Sequence, residues 1–144
     1  MATRSRIGIE NEDGSVSSVY CHWDGYPSNN GKILSTHYTD RDKVNELIAL
    51  GSISSLRKDI APAPGSDHSF EKPQEDVTIA YHRDRGEDFN EARVNESVAA
   101  YLADDNEEYG YLFTKAGEWK VSEHGGDFKS VTDILNGVDE EEEV

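Results

Sequence analysis

Apolar and polar residues alternate from Arg6 to Glu10, with Ile7 and Ile9 on one side, which is the period of a half-buried strand. Asn11-Glu12-Asp13-Gly14 reads as a turn whose glycine supplies the positive φ of a tight hairpin. Ser15 to Trp23 is then the return strand, with Val19, Cys21 and Trp23 on one face and Tyr20 and His22 on the other. The Asp-Gly, Tyr-Pro and Ser-Asn-Asn-Gly signals make residues 24–31 a loop.

The period lengthens after that loop. A short helical piece is predicted over Lys32 to Tyr38. A second helix, capped by Thr39 or Asp40, carries the stripe Val44, Leu47 and Ile48 and ends at Gly51. Three prolines and little periodicity make about 59–75 a long surface loop. Val77 to His82 alternates as a strand. Glu87 to Ala103 has Val94, Val98, Tyr101 and Leu102 at helical spacing. Tyr109–Phe113 and Glu118–Ser122 flank Lys115-Ala116-Gly117 as a second hairpin, and Phe128, Val131, Ile134 and Leu135 mark a last helix. Two hairpins plus one strand, with three to four helices, predict an α+β fold. The expected sheet is mainly antiparallel, of about five strands, with helices on one face. The expected organisation is a single domain over 1–138, followed by a disordered acidic tail at 139–144.

Length and composition agree with one core. A chain of 144 residues buries roughly two-thirds of its unfolded surface. The apolar share of 35% makes that core modest. One cysteine excludes an intrachain disulfide framework and a multi-cysteine zinc site, and fits a reducing compartment. No stretch approaches the ~20 apolar residues of a membrane helix, and the opening Met-Ala-Thr-Arg-Ser-Arg predicts no signal peptide. The net charge of −16 is unevenly placed. Residues 1–60 hold 8 acidic and 7 basic side chains, whereas residues 61–144 hold 22 and 7. Such a surface disfavours direct contact with nucleic acid or anionic membrane and suits a basic protein partner, including one that itself handles nucleic acid. The carboxylates nominated for that contact are Asp104, Asp105, Glu107, Glu108, Asp139 and Glu140. The competing reading is that acidity serves solubility.

Candidate chemistry gathers at two strand exits. Cys21-His22-Trp23-Asp24-Gly25-Tyr26-Pro27 concentrates a thiol, an imidazole, a carboxylate and two aromatics. Cys21 shares the core face and reads as an inert small hydrophobe. His22 and Asp24 at spacing two suit a shared ligand or a base oriented by a carboxylate. The alternative is a turn in which Asp24 bonds its own backbone. Tyr26 suits recognition, since an exposed rigid aromatic gives contact area at low entropic cost. The second exit, Tyr81-His82-Arg83-Asp84-Arg85-Gly86-Glu87, sets two arginines before the helix expected near Glu87. With His82, they form a candidate pocket for a small anionic ligand. A lattice with Asp84, Glu87 and Glu91 is the alternative for the arginines. If the exits converge, His22, Asp24, Tyr26, His82, Arg83 and Arg85 make one site. No metal-ligand spacing, phosphate loop or complete catalytic set is present, so no cofactor, metal or catalytic residue is assigned.

Arg4-Ser5-Arg6-Ile7-Gly8-Ile9, Asp13-Gly14-Ser15-Val16 and residues 20–27 together resemble the opening of a family of small tailed-phage accessory proteins. The likeness extends through His37-Tyr38, residues 81–87 and the Tyr109–Trp119 hairpin. It implies the cytoplasm of an infected host and a part in host takeover or in countering host defence, without specifying an activity. The expectation is a non-enzymatic binding protein that engages a basic host factor through its acidic surface. Two alternatives stand beside it: a site that binds or hydrolyses a small molecule such as a nucleotide, and partial mimicry of DNA.

Overall fold

The computed structural model describes residues 3–60, 72, 76–85, 92–104, 108–123 and 128–134. They form an α+β structure built on one mixed sheet. Its strands are β1 (Ser5–Glu10), β2 (Val16–Cys21), β3 (Ile53–Ser55), β4 (Ile79–Ala80), β5 (Arg93–Asn95), β6 (Tyr109–Phe113), β7 (Trp119–Glu123) and β8 (Lys129–Ser130). The order is β4-β3-β2-β1-β6-β7-β8, with β5 also paired to β2.

The first hairpin forms where the alternation places it. β1 and β2 pair antiparallel from Ser5↔Cys21 to Glu10↔Val16. Gly14 turns the chain at φ +89°. The Asp13 carboxylate accepts from the Ser15 hydroxyl at 2.6 Å and its N–H at 2.9 Å, which holds the carboxyl below its ordinary pKa. The second hairpin, β6 with β7, keeps the register Tyr109↔Glu123 to Phe113↔Trp119.

Helices α1 (Lys32–His37) and α2 (Arg41–Ala49) pack on one face of the sheet. Asp40 caps α2 by accepting from Asp42 N–H at 3.0 Å, and Gly51 follows at φ +77°. The stripe Val44, Leu47 and Ile48 is buried, together with Ile7, Ile9, Val19, Cys21, Tyr111 and Phe113 from the sheet. Each such side chain contributes about 1.5–3 kcal/mol on leaving water.

The sheet departs from expectation in three ways. It has eight strands rather than about five. Two of its pairings, β1 with β6 and β2 with β3, are parallel. Helices also cover both faces: α4 (Val98–Asp104) lies opposite α1 and α2, where Tyr101 packs with Val16 and Leu112. Gly8 makes that approach feasible, because a Cβ there would stand 3.2 Å from the Tyr101 ring.

The added strands have two or three residues, too few to imprint a period on the sequence. β4 stops at Ala80, where the Asp84 carboxylate takes the Ala80 N–H at 2.8 Å, and the chain turns into α3 (Tyr81–Arg85). Tyr81 and His82 are therefore helical, not the end of a strand. Within the helix expected over 87–103, Arg93–Asn95 is β5, and Ser97 starts α4 by accepting from Ala100 N–H. Ahead of the last expected helix stands β8, and residues 131–134 are helical. Apart from Asp59, Ile60 and Lys72, the Pro-rich segment at about 59–75 lies outside the described residues, as does the tail at 139–144.

Candidate functional site

β2 leaves the sheet beside β3. His22 N–H donates to Ile53 O at 3.1 Å and Trp23 N–H to Ser54 O at 2.9 Å, so the parallel pairing outlasts the strand itself. The chain beyond is loop only as far as Tyr26; Pro27–Gly31, expected as loop, is a helical turn that runs into α1, and the whole stretch is fastened from below. Gly25 N–H donates to Thr3 O at 2.8 Å, and the buried Tyr111 hydroxyl donates to Gly25 O at 2.6 Å. Asn30 is fully buried and gives its amide protons to Ser5 Oγ at 3.2 Å and Cys21 Sγ at 3.4 Å. Asn29 donates to Asp24 O and to Asn30 Oδ1. Buried amides in such a network hold one backbone path, since an unpaired alternative costs about 1–3 kcal/mol per group.

Cys21 belongs to this foundation. Burial pushes its thiol up to about 11, against weaker opposing hydrogen bonds from Asn30 and Ser5. It is protonated at neutral pH and is not a nucleophile there.

What the loop displays is different in kind. Trp23 is 43% exposed and Tyr26 38% exposed, two of the three large exposed apolar side chains among the described residues. The alternation expected Trp23 on the core face with Val19 and Cys21, but it lies two residues beyond the end of β2 and is exposed. Asp24, between the two aromatics, sits at φ +55°. Aspartate is one of the few non-glycine residues that enters this region, as single turn residues do. The Tyr26 hydroxyl donates to Asp24 Oδ1 at 3.4 Å, and the Asp24 charge pushes the phenol above its ordinary pKa, so the phenol keeps its proton.

Trp23 and Asp24 also form one wall of a cleft of ≈ 290 Å³, completed by Asn29, Ile33, Ser55, Leu56 and Arg57. The Arg57 backbone is fixed: its N–H donates to Thr78 Oγ1 at 3.0 Å, and its carbonyl accepts from the Tyr38 hydroxyl at 2.7 Å. Among the described residues no hydrogen bond or ion pair holds the Arg57 guanidinium.

His22 lies on the other side of the strand from Cys21. Its Nδ1 meets the Tyr20 hydroxyl at 2.6 Å, and its ring stands edge-on to Trp23 at 4.8 Å. The second cluster is reached from the far end of β3. Trp23 runs beside Ser54, whereas Tyr81 N–H bonds Ser52 O, because β3 is parallel to β2 and antiparallel to β4. Arg83 is engaged by protein: both oxygens of Asp84, Thr78 O at 2.6 Å and Ile60 O at 2.5 Å. It stands inside α3, and the helix start expected near Glu87 lies outside the described residues. His82 is exposed on the same helix and Arg85 is its last residue. Of the nominated carboxylates, Asp104 ends α4 and Glu108 is half-buried before β6. Asp105, Glu107, Asp139 and Glu140 lie outside the described residues.

The structure thus joins Asp24 and Trp23 to Arg57 and Asn29. Periodicity gave no reason to single out Arg57, whose neighbourhood carries none, and Asn29-Asn30-Gly31 read as turn signal alone. Among the described residues no group of three or more His, Cys, Asp or Glu side chains could hold a metal ion, and no helix is long and apolar enough to cross a membrane. No protein-family model, curated protein or solved structure matches the chain.

Proposed function

We propose that the protein is a non-enzymatic binding protein whose contact surface centres on the loop bearing Trp23, Asp24 and Tyr26. The observation that carries this reading is the contrast within the loop: buried hydrogen bonds fix its backbone while two aromatics and the aspartate between them face water. Aromatic side chains held rigid at a surface are the usual anchors of protein interfaces. With a net charge of −16, the partner of matching chemistry is basic. In the phage setting that the sequence resembles, that partner is a host factor in the infected cell, inhibited or redirected by the contact. Long-range attraction by the acidic half speeds encounter, and the aromatic loop sets how long the complex lasts.

The test is capture from host lysate by the full chain and by a W23A/Y26A double variant, at low and high salt. The expected result is a discrete basic partner held by the wild type, weakened by salt, and lost from the variant. Capture that is indifferent to W23A/Y26A would overturn the assignment of the surface.

A further inference from the structure

The cleft behind Trp23 holds opposite charges that do not neutralise one another. Asp24 and Arg57 line the same space without forming an ion pair, and the carboxylate's hydrogen bond from Tyr26 is long at 3.4 Å. An occupant that satisfies both presents an anion to Arg57 and N–H donors to Asp24. The exposed indole of Trp23 supplies a flat stacking surface beside an otherwise mostly polar lining. A planar heterocycle linked to a phosphate meets all three demands, because stacking on Trp is strong and arginine pairs with phosphate through two parallel N–H bonds.

The carboxylate narrows the base. Ionised Asp only accepts hydrogen bonds. Guanine offers adjacent N–H groups at N1 and N2, so both carboxylate oxygens find donors. Adenine places the N1 lone pair beside its amino group and repels the second oxygen. The space, ≈ 290 Å³, falls at the small end of ligand sites, which limits the occupant to one nucleotide unit. We propose that this cleft binds a guanine mononucleotide, with its base on Trp23 and Asp24 and its phosphate on Arg57. This goes beyond the protein-partner reading, since Arg57 has no use for a basic partner and R57Q is expected to leave lysate capture intact.

The experiment is titration of the full chain with GMP, AMP, guanosine and inorganic phosphate, read by indole fluorescence excited at its red edge. Trp23 is the accessible indole, whereas Trp119 is buried with its Nε1–H on Tyr38 O. GMP is expected to quench saturably, with W23F abolishing the signal. Guanosine should bind about tenfold or more weakly, the loss expected for a missing charged hydrogen-bonding partner. R57Q should bring GMP down to the guanosine level without moving guanosine, and D24N should remove the preference for GMP over AMP. No saturable quenching by GMP at millimolar concentration overturns the proposal. So does equal affinity for GMP and AMP, GMP affinity unmoved by R57Q, or inorganic phosphate binding as tightly as GMP in the same titration.

Discussion

Gly25 is where the loop comes closest to the rest of the molecule. A Cβ at this position would lie 2.8 Å from both Ser5 Cβ and Thr3 O, distances that real side chains do not tolerate. The carbonyl of the same residue holds the buried Tyr111 hydroxyl, so the backbone has little freedom to retreat. G25A is therefore expected to destabilise the fold by about 1–3 kcal/mol, as overpacking does elsewhere. Urea unfolding followed by fluorescence checks this, and an unchanged midpoint would show that the backbone yields more readily than these distances imply. The neighbouring residues divide cleanly between inside and outside. Cys21 and Asn30 are buried and fix the path, while Trp23, Asp24 and Tyr26 turn their side chains to the exterior.

Elements with strong local signals were legible in the sequence, and those defined by distant partners were not. Helix α2 shows the first kind, with cap, stripe and closing glycine all read from the residues. Its cap is worth testing: D40A should cost about 1 kcal/mol, because Asp42 N–H loses its acceptor at the first turn. Thermal unfolding of the variant measures it, and D40N should recover most of the loss. β3 shows the second kind. Its three residues are strand only because Cys21 and Ala80 flank Ile53. Tyr81 to Arg85 has a strand-like beginning, yet Asp84 turns back onto Ala80 N–H and local bonding wins. The site followed the same rule. The loop with Trp23, Asp24 and Tyr26 stood out by composition, but Arg57 joins it through sheet order, which no spacing in the chain encodes.

Across the whole molecule, several weak acids are kept neutral by burial. Burial pushes Cys21 up to about 11 and Tyr38 up to about 12, and Tyr111 well above its ordinary range. In the unfolded chain the thiol ionises near 9 and the phenols near 10. Once pH exceeds those values the unfolded state releases protons that the folded state retains, so ionisation favours unfolding. Stability should hold up to pH 9 and fall through pH 11–12, with C21A flattening the first part of the decline; urea midpoints across pH 8–12 measure it. Sheet order carries a different consequence. β1 is the hub, with β2 on one edge and β6 in parallel on the other. While a ribosome is still making the chain, the first hairpin emerges with the outer backbone edge of β1 open, awaiting Tyr109–Phe113. Nascent or prematurely terminated products that stop short of Tyr109 thus expose an unpaired strand edge, which is a template for strand addition.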